Sequence, residues 1–320
     1  VSSSGHAGGD AVVRAGANHP GWVQFQFGAQ AARGVPAPIY GTSTVEQTGY
    51  IVKDSGARIL CCDTKEQLDK FLEGERLGLF EPALRYFTFT KFDVDESVQD
   101  RVVAFEDVLE LGDAAANDVD LDERLAQLTD DETCLMIYTS GTTGVPKGVE
   151  IDHGGQLFVG NACKKFAPQF FDGSSEYHAI SYLPLSHQAE QIMTNVLSLM
   201  VGGQVYFCPV IADVKGYLTD VRPTCFLGVP RVWEKFEAAL RARLSEATGP
   251  KAKLAAWSMK TELECFHEQV RRGVPESKYM PVKRRLARWL VISKIKTALG
   301  LDRLENAVTG SAPISETTQL

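Results

Sequence analysis

The hydrophobic and polar positions of the chain fall into two kinds of segment that alternate. Short runs of apolar or β-branched residues are typical of buried strands, whereas apolar residues spaced three and four apart are typical of helices packed on one face. Their alternation predicts βαβ units and a largely parallel sheet, the α/β class. The predicted strands cover residues 11–15, 57–62, 86–89, 134–138, 178–182, 204–207, 224–228 and 306–309, and the predicted helices cover residues 22–32, 45–54, 65–73, 154–166, 189–200, 230–247, 252–270 and 282–299.

Two local signals refine this pattern. Thr44 followed by Gln47 forms a capping-box spacing, which predicts a helix start at residue 45. Residues 112–133 are rich in Asp, Ala and Asn and predict an irregular lead-in with a short acidic helix near residues 121–128.

One loop after the predicted strand 134–138 has the composition of an anion site. Glycines allow backbone N–H groups to approach an anion closely, hydroxyls add short donors, and a lysine adds a point charge suited to phosphate. We therefore predict that this loop binds a nucleoside triphosphate; the alternative is a surface turn of small polar residues. The loop reads Tyr138-Thr139-Ser140-Gly141-Thr142-Thr143-Gly144-Val145-Pro146-Lys147-Gly148-Val149.

The loop is not a Walker P-loop. That motif requires Ser or Thr directly after the lysine and a helix beyond it. Here Gly148 follows Lys147, and the chain continues with residues that favour extended structure. The sequence therefore does not predict kinase or GTPase chemistry.

The order of residues in this loop resembles the phosphate-loop signature of the adenylate-forming enzymes, the superfamily of acyl-CoA synthetases, luciferases and peptide-synthetase adenylation domains. Residues 181–187 resemble the second core motif of that family, and residues 228–235 resemble the fatty-acid-specific segment of long-chain acyl-CoA synthetases. Residues 298–302 and 309–315 are similar to the stretch before the adenine-binding motif, especially in the bubblegum-type branch. The resemblance runs from about residue 12 to the last residue.

The resemblance implies the fold and its division. It implies the large N-terminal domain of the adenylate-forming fold, with stacked, mostly parallel sheets and flanking helices, truncated. We expect a first α/β subdomain over residues 1–155, which ends in the phosphate loop, and a second over residues 156–320, which carries the acyl-binding segment.

The resemblance also implies a two-step ligase. A long-chain fatty acid would attack the α-phosphate of ATP to give an acyl-adenylate, and coenzyme A would then displace AMP. Lys147, Thr139 and His187 are implied to act in catalysis, with Thr139 as the ligand of Mg²⁺ in the phosphate loop. The implied nucleotide-binding residues are Thr139, Ser140, Gly141, Thr142, Thr143, Gly144, Lys147, Gly310, Ser311, Ala312 and Pro313.

Three motifs gain a role only from the resemblance. His187 is by itself a turn histidine, but in the family it would border the fatty carboxylate. Trp233, in the segment that begins at Gly228, is by spacing a core-facing residue, whereas the family implies a gate to the acyl tunnel. Residues 310–313 are locally an ordinary turn, and the family implies an adenine or ribose contact.

Composition and charge exclude several classes. With 320 residues, 44% of them hydrophobic, the chain can bury a large core, and its net charge of −8 argues against nucleic-acid binding. Seven scattered cysteines and six histidines show no metal-ligand spacing and fit a reducing, cytoplasmic setting. No G-x-S-x-G motif or distinctive carboxylate pair supports a hydrolase.

The predicted helix over residues 282–299 is basic and amphipathic. Such a helix is usually a solvated face over a packed core, and the alternative is a peripheral contact with an internal membrane such as the endoplasmic reticulum. No apolar run is long enough to span a bilayer. The sequence does not fix the oligomeric state.

Some parts of the family pattern are expected beyond residue 320: an acidic residue that helps to hold Mg²⁺, an aspartate that binds the ribose, and the C-terminal domain with its catalytic lysine. We therefore expect little ligase activity from this chain alone. Two alternatives stay open. One is a non-catalytic nucleotide-binding or interaction protein of the same fold, and the other is adenylation of a different acid, against which residues 228–235 argue.

Overall fold

The computed structural model describes residues 10–114, 118–140 and 145–314, and the alternation of strands and helices is confirmed there. The strands are β1 Ala11–Ala15, β2 Val35–Ile39, β3 Ile59–Cys62, β4 Arg85–Thr88, β5 Val102–Ala104, β6 Thr133–Ser140, β7 Pro146–Asp152, β8 His178–Ser181, β9 Gln204–Phe207, β10 Cys225–Leu227 and β11 Asn306–Val308.

The helices agree with the predicted positions and add several short ones that the sequence pattern missed. They are α1 Pro20–Ala31, α2 Val45–Ser55, α3 Lys65–Arg76, α4 Phe105–Ala114, α5 Asp118–Ala126, α6 His153–Cys163, α7 Pro168–Phe171, α8 Gln188–Gln191, α9 Ser198–Val201, α10 Val214–Val221, α11 Pro230–Ser245, α12 Gly249–Arg272, α13 Val282–Ala287 and α14 Ser293–Leu299. The π-helical turns Ile192–Leu197 and Arg288–Ile292 join α8 to α9 and α13 to α14.

The short acidic helix predicted near residues 121–128 is present as α5, and the stretch around it is more helical than predicted. Much of residues 112–133 lies in the end of α4, in α5 and in the start of β6. Residues 127–132 form neither helix nor strand, as expected of an irregular lead-in to β6. The capping box at Thr44 is confirmed: its hydroxyl accepts from the Gln47 N–H, and the Gln47 side chain accepts from the Thr44 N–H.

The chain forms two compact units. The first contains Val1–Ser174 and Ser181–Ile211, and the second contains Ser175–Ile180 and Ala212–Leu320. The predicted subdomain division at residue 155 stays a prediction.

A five-stranded parallel sheet is the centre of the first unit. Its strand order is β2-β1-β3-β4-β5. Strand β1 lies between β2 and β3, with Val13 opposite both Ala37 and Leu60. Neighbouring residues Val12 and Val13 are both fully buried because helices cover both faces of a parallel sheet.

Strand β2 was not predicted because it carries Pro36 and Pro38, which lack the N–H group that a sheet requires. The register explains why the prolines are tolerated. The N–H of Val35 donates to Asp10 O at 3.0 Å, so odd-numbered residues of β2 point their N–H groups at β1. The prolines therefore occupy positions whose N–H groups would point away from β1.

Strands β6 and β7 form an antiparallel hairpin in the first unit. In the second unit, β10 and β11 pair in parallel, with Phe226 opposite Ala307. The long helices α11 and α12 of that unit follow β10 and precede α13, so the segment between the two paired strands is almost entirely helical.

Candidate functional site

The described residues of the predicted phosphate loop belong to the β6–β7 hairpin. Thr139 lies directly opposite Lys147 in the strand register, and Ser140 lies opposite Pro146. Cross-strand partners project to the same face of a hairpin, so the Thr139 hydroxyl and the Lys147 ammonium share one face. Both residues are exposed, and Lys147 forms no ion pair with any residue that the structure describes. Gly141, Thr142, Thr143 and Gly144 lie outside the described residues.

The base of the hairpin is fixed by Tyr138. Its ring is buried, and its hydroxyl donates to Asp54 Oδ2 of helix α2 at 2.8 Å. Burial, together with the Asp54 carboxylate, raises the pKa of Tyr138 well above its ordinary range. A Cβ atom on Gly148 would lie 3.2 Å from Tyr138 Cζ and 3.1 Å from Met136 Sδ, which explains the glycine that follows Lys147.

His187 lies at the N-cap of helix α8. Its Nδ1 accepts from the Ala189 N–H at 3.1 Å, and its own N–H donates to Pro184 O at 2.9 Å. The capping role expected of a turn histidine is thus present. It also sets the tautomer: because Nδ1 accepts, the neutral ring carries its proton on Nε2. An exposed His187 can therefore donate from Nε2 to an oxygen of a bound acid.

A buried carboxyl group lies one helical turn after His187. Glu190 is 2% exposed and accepts from the Thr194 hydroxyl at 2.8 Å. Further donors are the Ser181 hydroxyl and the backbone N–H groups of Tyr182 and Leu183. Burial raises the pKa of Glu190 to about 7, although these donors oppose the rise. Through these hydrogen bonds, Glu190 connects helix α8 to the segment before His187.

Asn18 holds the same segment from the other side. Its Nδ2 donates to Ser181 Oγ at 2.8 Å and to Leu183 O at 2.7 Å, and its Oδ1 accepts from the Leu185 N–H at 3.3 Å. Asn18 follows strand β1, so three hydrogen bonds connect the segment after the carboxyl end of β1 to residues 181–185. The loop that presents His187 is therefore rigidly supported.

A glutamine pair completes the support. Gln26 of α1 donates to Gln191 Oε1 at 2.8 Å, and Gln191 donates to Leu185 O at 2.5 Å. Sequence reasoning missed Asn18, Gln26, Glu190 and Gln191. The signal available was the run of polar residues within the predicted helix 189–200, which an amphipathic packing helix does not need.

In the second unit, Gly228 and Trp233 lie in contact at the end of β10. A Cβ atom on Gly228 would lie 2.5 Å from Trp233 Cε2 and Nε1, so only glycine leaves room for the indole. Trp233 also makes edge contacts with Phe226 and Phe236, with ring centroids 5.5 and 5.9 Å apart. The predicted packing role of Trp233 is therefore real.

Trp233 also borders a large apolar cavity within the second unit. The cavity has a volume of about 780 Å³ and lies between α11, α12 and the segment α14. Its volume is within the range typical of small-molecule sites. Among its lining residues are Trp233, Phe236, Leu240, Met259, Leu263 and Ile295.

Residues 310–313 follow strand β11. Because β10 and β11 are parallel, this turn leaves the sheet at the same edge as Gly228, whose N–H donates to Val308 O at 2.9 Å. Ligands of α/β proteins bind at the carboxyl ends of parallel strands. Ser311 has a φ of 70°, a left-handed conformation that is unusual for a residue other than glycine. Gly310, Ala312 and Pro313 flank it in the same turn.

The predicted residues are divided between the two units. Thr139, Lys147 and His187 belong to the first unit, and Gly228, Trp233 and residues 310–313 belong to the second. Among the described residues there is no cluster of three His, Cys, Asp or Glu side chains that could hold a metal ion. Within the same ranges, no helix is long and apolar enough to cross a bilayer.

Comparison with known proteins places these features in one family. The family model for AMP-binding enzymes matches residues 2–319. The chain is 32% identical over 308 residues to the long-chain-fatty-acid–CoA ligase ACSBG2 of Xenopus laevis, covering 95% of this chain and 40% of that protein. It is 31% identical over 312 residues to human ACSBG1, covering 96% and 42%. The chain therefore spans about two fifths of the length of these relatives.

Solved structures share the fold. The adenylation domain of a carboxylate reductase from Mycobacterium chelonae matches with a TM-score of 0.62 and 18% identity, covering 99% of this chain and 45% of that one. A didomain of carboxylic acid reductase from Segniliparus rugosus, in complex with AMP, matches with a TM-score of 0.59 and 20% identity, covering 98% and 40%. The adenylate-forming fold is thus confirmed, and the chain belongs to the AMP-binding enzyme family, with bubblegum-type long-chain-fatty-acid–CoA ligases among its relatives.

Proposed function

We propose that this chain supplies the phosphate loop and the acyl site of a long-chain fatty acid–CoA ligase that works through an acyl-adenylate. The substrates are a long-chain fatty acid, ATP and coenzyme A. The proposal is supported by the ligases among the relatives and by the described residues, which offer an exposed lysine and hydroxyl for phosphate and an apolar cavity for an acyl chain.

The apolar cavity is the observation that carries the substrate class. A polar acid would gain little from the aliphatic and aromatic side chains that form most of the lining, whereas each buried methylene of an acyl chain contributes about 0.8 kcal/mol. Trp233 stands between the carboxyl edge of β10 and this cavity. We infer that it forms the wall that an acyl chain passes, in addition to its packing role.

The phosphate side is assigned to Lys147 and Thr139. When the fatty carboxylate attacks the α-phosphate, negative charge builds on the pyrophosphate that leaves. An exposed ammonium that has no counter-ion among the described residues, beside a hydroxyl donor on the same face, stabilises that charge where it develops. The proposed loop residues Ser140, Gly141, Thr142, Thr143 and Gly144 would add their backbone N–H groups.

His187 is assigned to the fatty carboxylate. Because its Nδ1 accepts from the Ala189 N–H, the neutral ring carries its proton on Nε2. The contacts of Glu190 and Asn18 hold the preceding segment in place. A donor at a fixed position orients the carboxylate for attack, which lowers the entropy lost on reaching the transition state. His187 is a binding group in this scheme and transfers no proton.

The remaining partners are assigned by fit. The exposed Thr139 hydroxyl is suited to give one oxygen ligand to Mg²⁺, which with phosphate oxygens supplies charge neutralisation when bound. The turn Gly310, Ser311, Ala312 and Pro313, at the carboxyl edge of β11, is proposed to contact adenine or ribose.

We also propose a cytoplasmic protein in peripheral contact with an internal membrane. Low activity of the isolated chain stays a prediction.

ATP–pyrophosphate exchange by the full-length protein tests the proposal. Fatty acids of graded length should support exchange, with a preference for long chains, whereas aryl and amino acids should not. Ala255 lines the cavity, so Ala255→Phe should shift the preference toward shorter acids. The matched control is Ala238→Phe, an exposed site on α11 that does not line the cavity. Exchange driven equally well by short polar acids would contradict the proposal.

A further inference from the structure

The segment from α13 to α14 presents an apolar stripe to solvent. Val282, Leu286 and Trp289 are 73%, 46% and 72% exposed. They stand four and then three residues apart, so they follow one face of the helix. A face that ends in an exposed tryptophan is a costly surface to leave in water.

The opposite side of the same segment packs against the rest of the second unit. Ala287 is fully buried, and Ile292, Ile295 and Leu299 line the apolar cavity. Arg284 is 1% exposed; it donates to Glu262 at 2.8 Å and to Tyr279 O at 3.0 Å. These contacts fix the rotation of the helix about its axis, so the exposed stripe is a stable feature of the fold.

The charge around the stripe has one sign. Residues 277–301 contain seven lysines and arginines and no acid, in a chain whose net charge is −8. Arg284 pairs with Glu262, Arg288 pairs with both Glu262 and Glu276, and Lys283 lies 3.5 Å from Glu264. Arg285, Lys294 and Lys296 are exposed and pair with no carboxylate in the part of the chain that the structure describes. The surplus charge therefore lies on the same segment as the apolar stripe.

We propose that this face docks on an anionic membrane surface, with Val282, Leu286 and Trp289 inserted among the lipids. We call these three residues, together with Arg285, Lys294 and Lys296, the basic stripe. Apolar residues beside unpaired cations complement a negatively charged bilayer, and tryptophan favours the headgroup level. We choose a lipid surface as the partner because of this charge complementarity. A chain with a net negative charge is attracted to an anionic bilayer only at a surface where its lysines and arginines are concentrated.

The proposal deepens the proposed function, on which it rests for its purpose: the cavity lies on the inner side of the helix whose outer side would meet the membrane. A fatty acid dissolved in the bilayer would then be close to the cavity. Docking itself requires no nucleotide, acid or chemistry, so it can be tested separately.

Vesicle sedimentation with the whole chain tests this proposal. Vesicles of phosphatidylcholine with phosphatidylserine should bind the chain, and phosphatidylcholine alone should bind it much more weakly. The double variant Lys294→Gln with Lys296→Gln should lose about thirtyfold in affinity, at about fivefold for each charge. The control, Lys251→Gln with Lys253→Gln, removes the same charge from exposed positions on α12 and should bind like the original chain.

Tryptophan provides a second readout. Trp289→Ala should weaken binding about tenfold, whereas Trp257→Ala, which removes another exposed tryptophan, should not. The proposal is overturned if the folded chain does not bind anionic vesicles, or if the two double lysine variants lose the same amount of vesicle affinity. It is also overturned if sedimentation velocity shows that Trp289 instead drives self-association. Vesicle binding without any affinity for fatty acids would contradict the proposed function but still support the membrane-docking proposal.

Discussion

The indole of Trp233 lies against the backbone of Gly228, where a methyl group would approach its ring atoms to 2.5 Å. One glycine therefore determines the position of the aromatic residue that borders the apolar cavity. The contact lies at the carboxyl edge of β10, where the predicted acyl segment begins.

Replacing Gly228 with alanine should force the Trp233 ring to move. We expect a loss of about 1–3 kcal/mol in the free energy of unfolding, together with weaker binding of long-chain acids. Urea denaturation and fatty-acid titration measure the two effects. Gly216→Ala is the control, because nothing lies within 4 Å of that position and alanine favours the helix there. Equal effects of the two variants would argue against the contact.

Lys147→Gln should weaken ATP binding. The ammonium forms no ion pair with described residues, and a charged hydrogen bond to phosphate contributes about 1.5–3 kcal/mol, so we expect a loss of at least about tenfold. Lys165→Gln changes an exposed lysine of the same unit and should leave affinity unchanged. Calorimetric titration decides, and identical affinities would remove Lys147 from the site.

Glu190 should give the first unit a pH-dependent stability. Burial raises the pKa of its carboxyl group from 4.5 to about 7, so the folded chain holds the proton more tightly than the unfolded chain. Its contribution is complete below pH 4.5 and is lost as the pH rises through 7. Between pH 6 and pH 8 the free energy of unfolding should fall by about 1 kcal/mol from this group.

The variant Glu190→Gln isolates that contribution, because an amide of similar size does not ionise. It is expected to be less stable at low pH, since the carboxyl group accepts several hydrogen bonds, but its stability should change less between pH 6 and pH 8. Denaturation curves at the two pH values provide the comparison. An unchanged slope in the variant would mean that Glu190 is already ionised at pH 6.

Asn18→Ala should destabilise the loop that presents His187. Three hydrogen bonds would be lost, and buried groups left without partners cost about 1–3 kcal/mol each. We expect a total loss of roughly 2–4 kcal/mol in unfolding experiments, since water can replace part of the interaction. Asn161→Ala, on the exposed face of α6, is the control and should cost little.

Local patterns in the sequence predicted much of the fold. The β-branched run of β1 and the helical spacing of α2 and α12 identify their elements because each pattern reflects burial on one or two faces. Strand β2 was not predicted, because prolines disfavour strands in general. Only the pairing with β1 shows that these prolines lie at positions where no N–H group is needed.

The site was predictable where one short segment carries its chemistry. The hairpin of Thr139 and Lys147 is local, so a candidate site was predictable from its order of residues, and its role stays a prediction. The support of His187 was not, because Asn18 and Ser181 are 163 residues apart in sequence and meet only in the folded chain. The apolar cavity likewise depends on how three helices pack, which spacing within each helix does not determine.

The most direct measurement is the affinity of this chain for a non-hydrolysable fatty acyl-adenylate analogue as the acyl length increases. The account predicts that affinity rises by about fourfold for each methylene until the cavity is filled, and that Ala255→Phe lowers the length at which the rise ends. An affinity that does not depend on acyl length, or that Ala255→Phe leaves unchanged at every length, would contradict it.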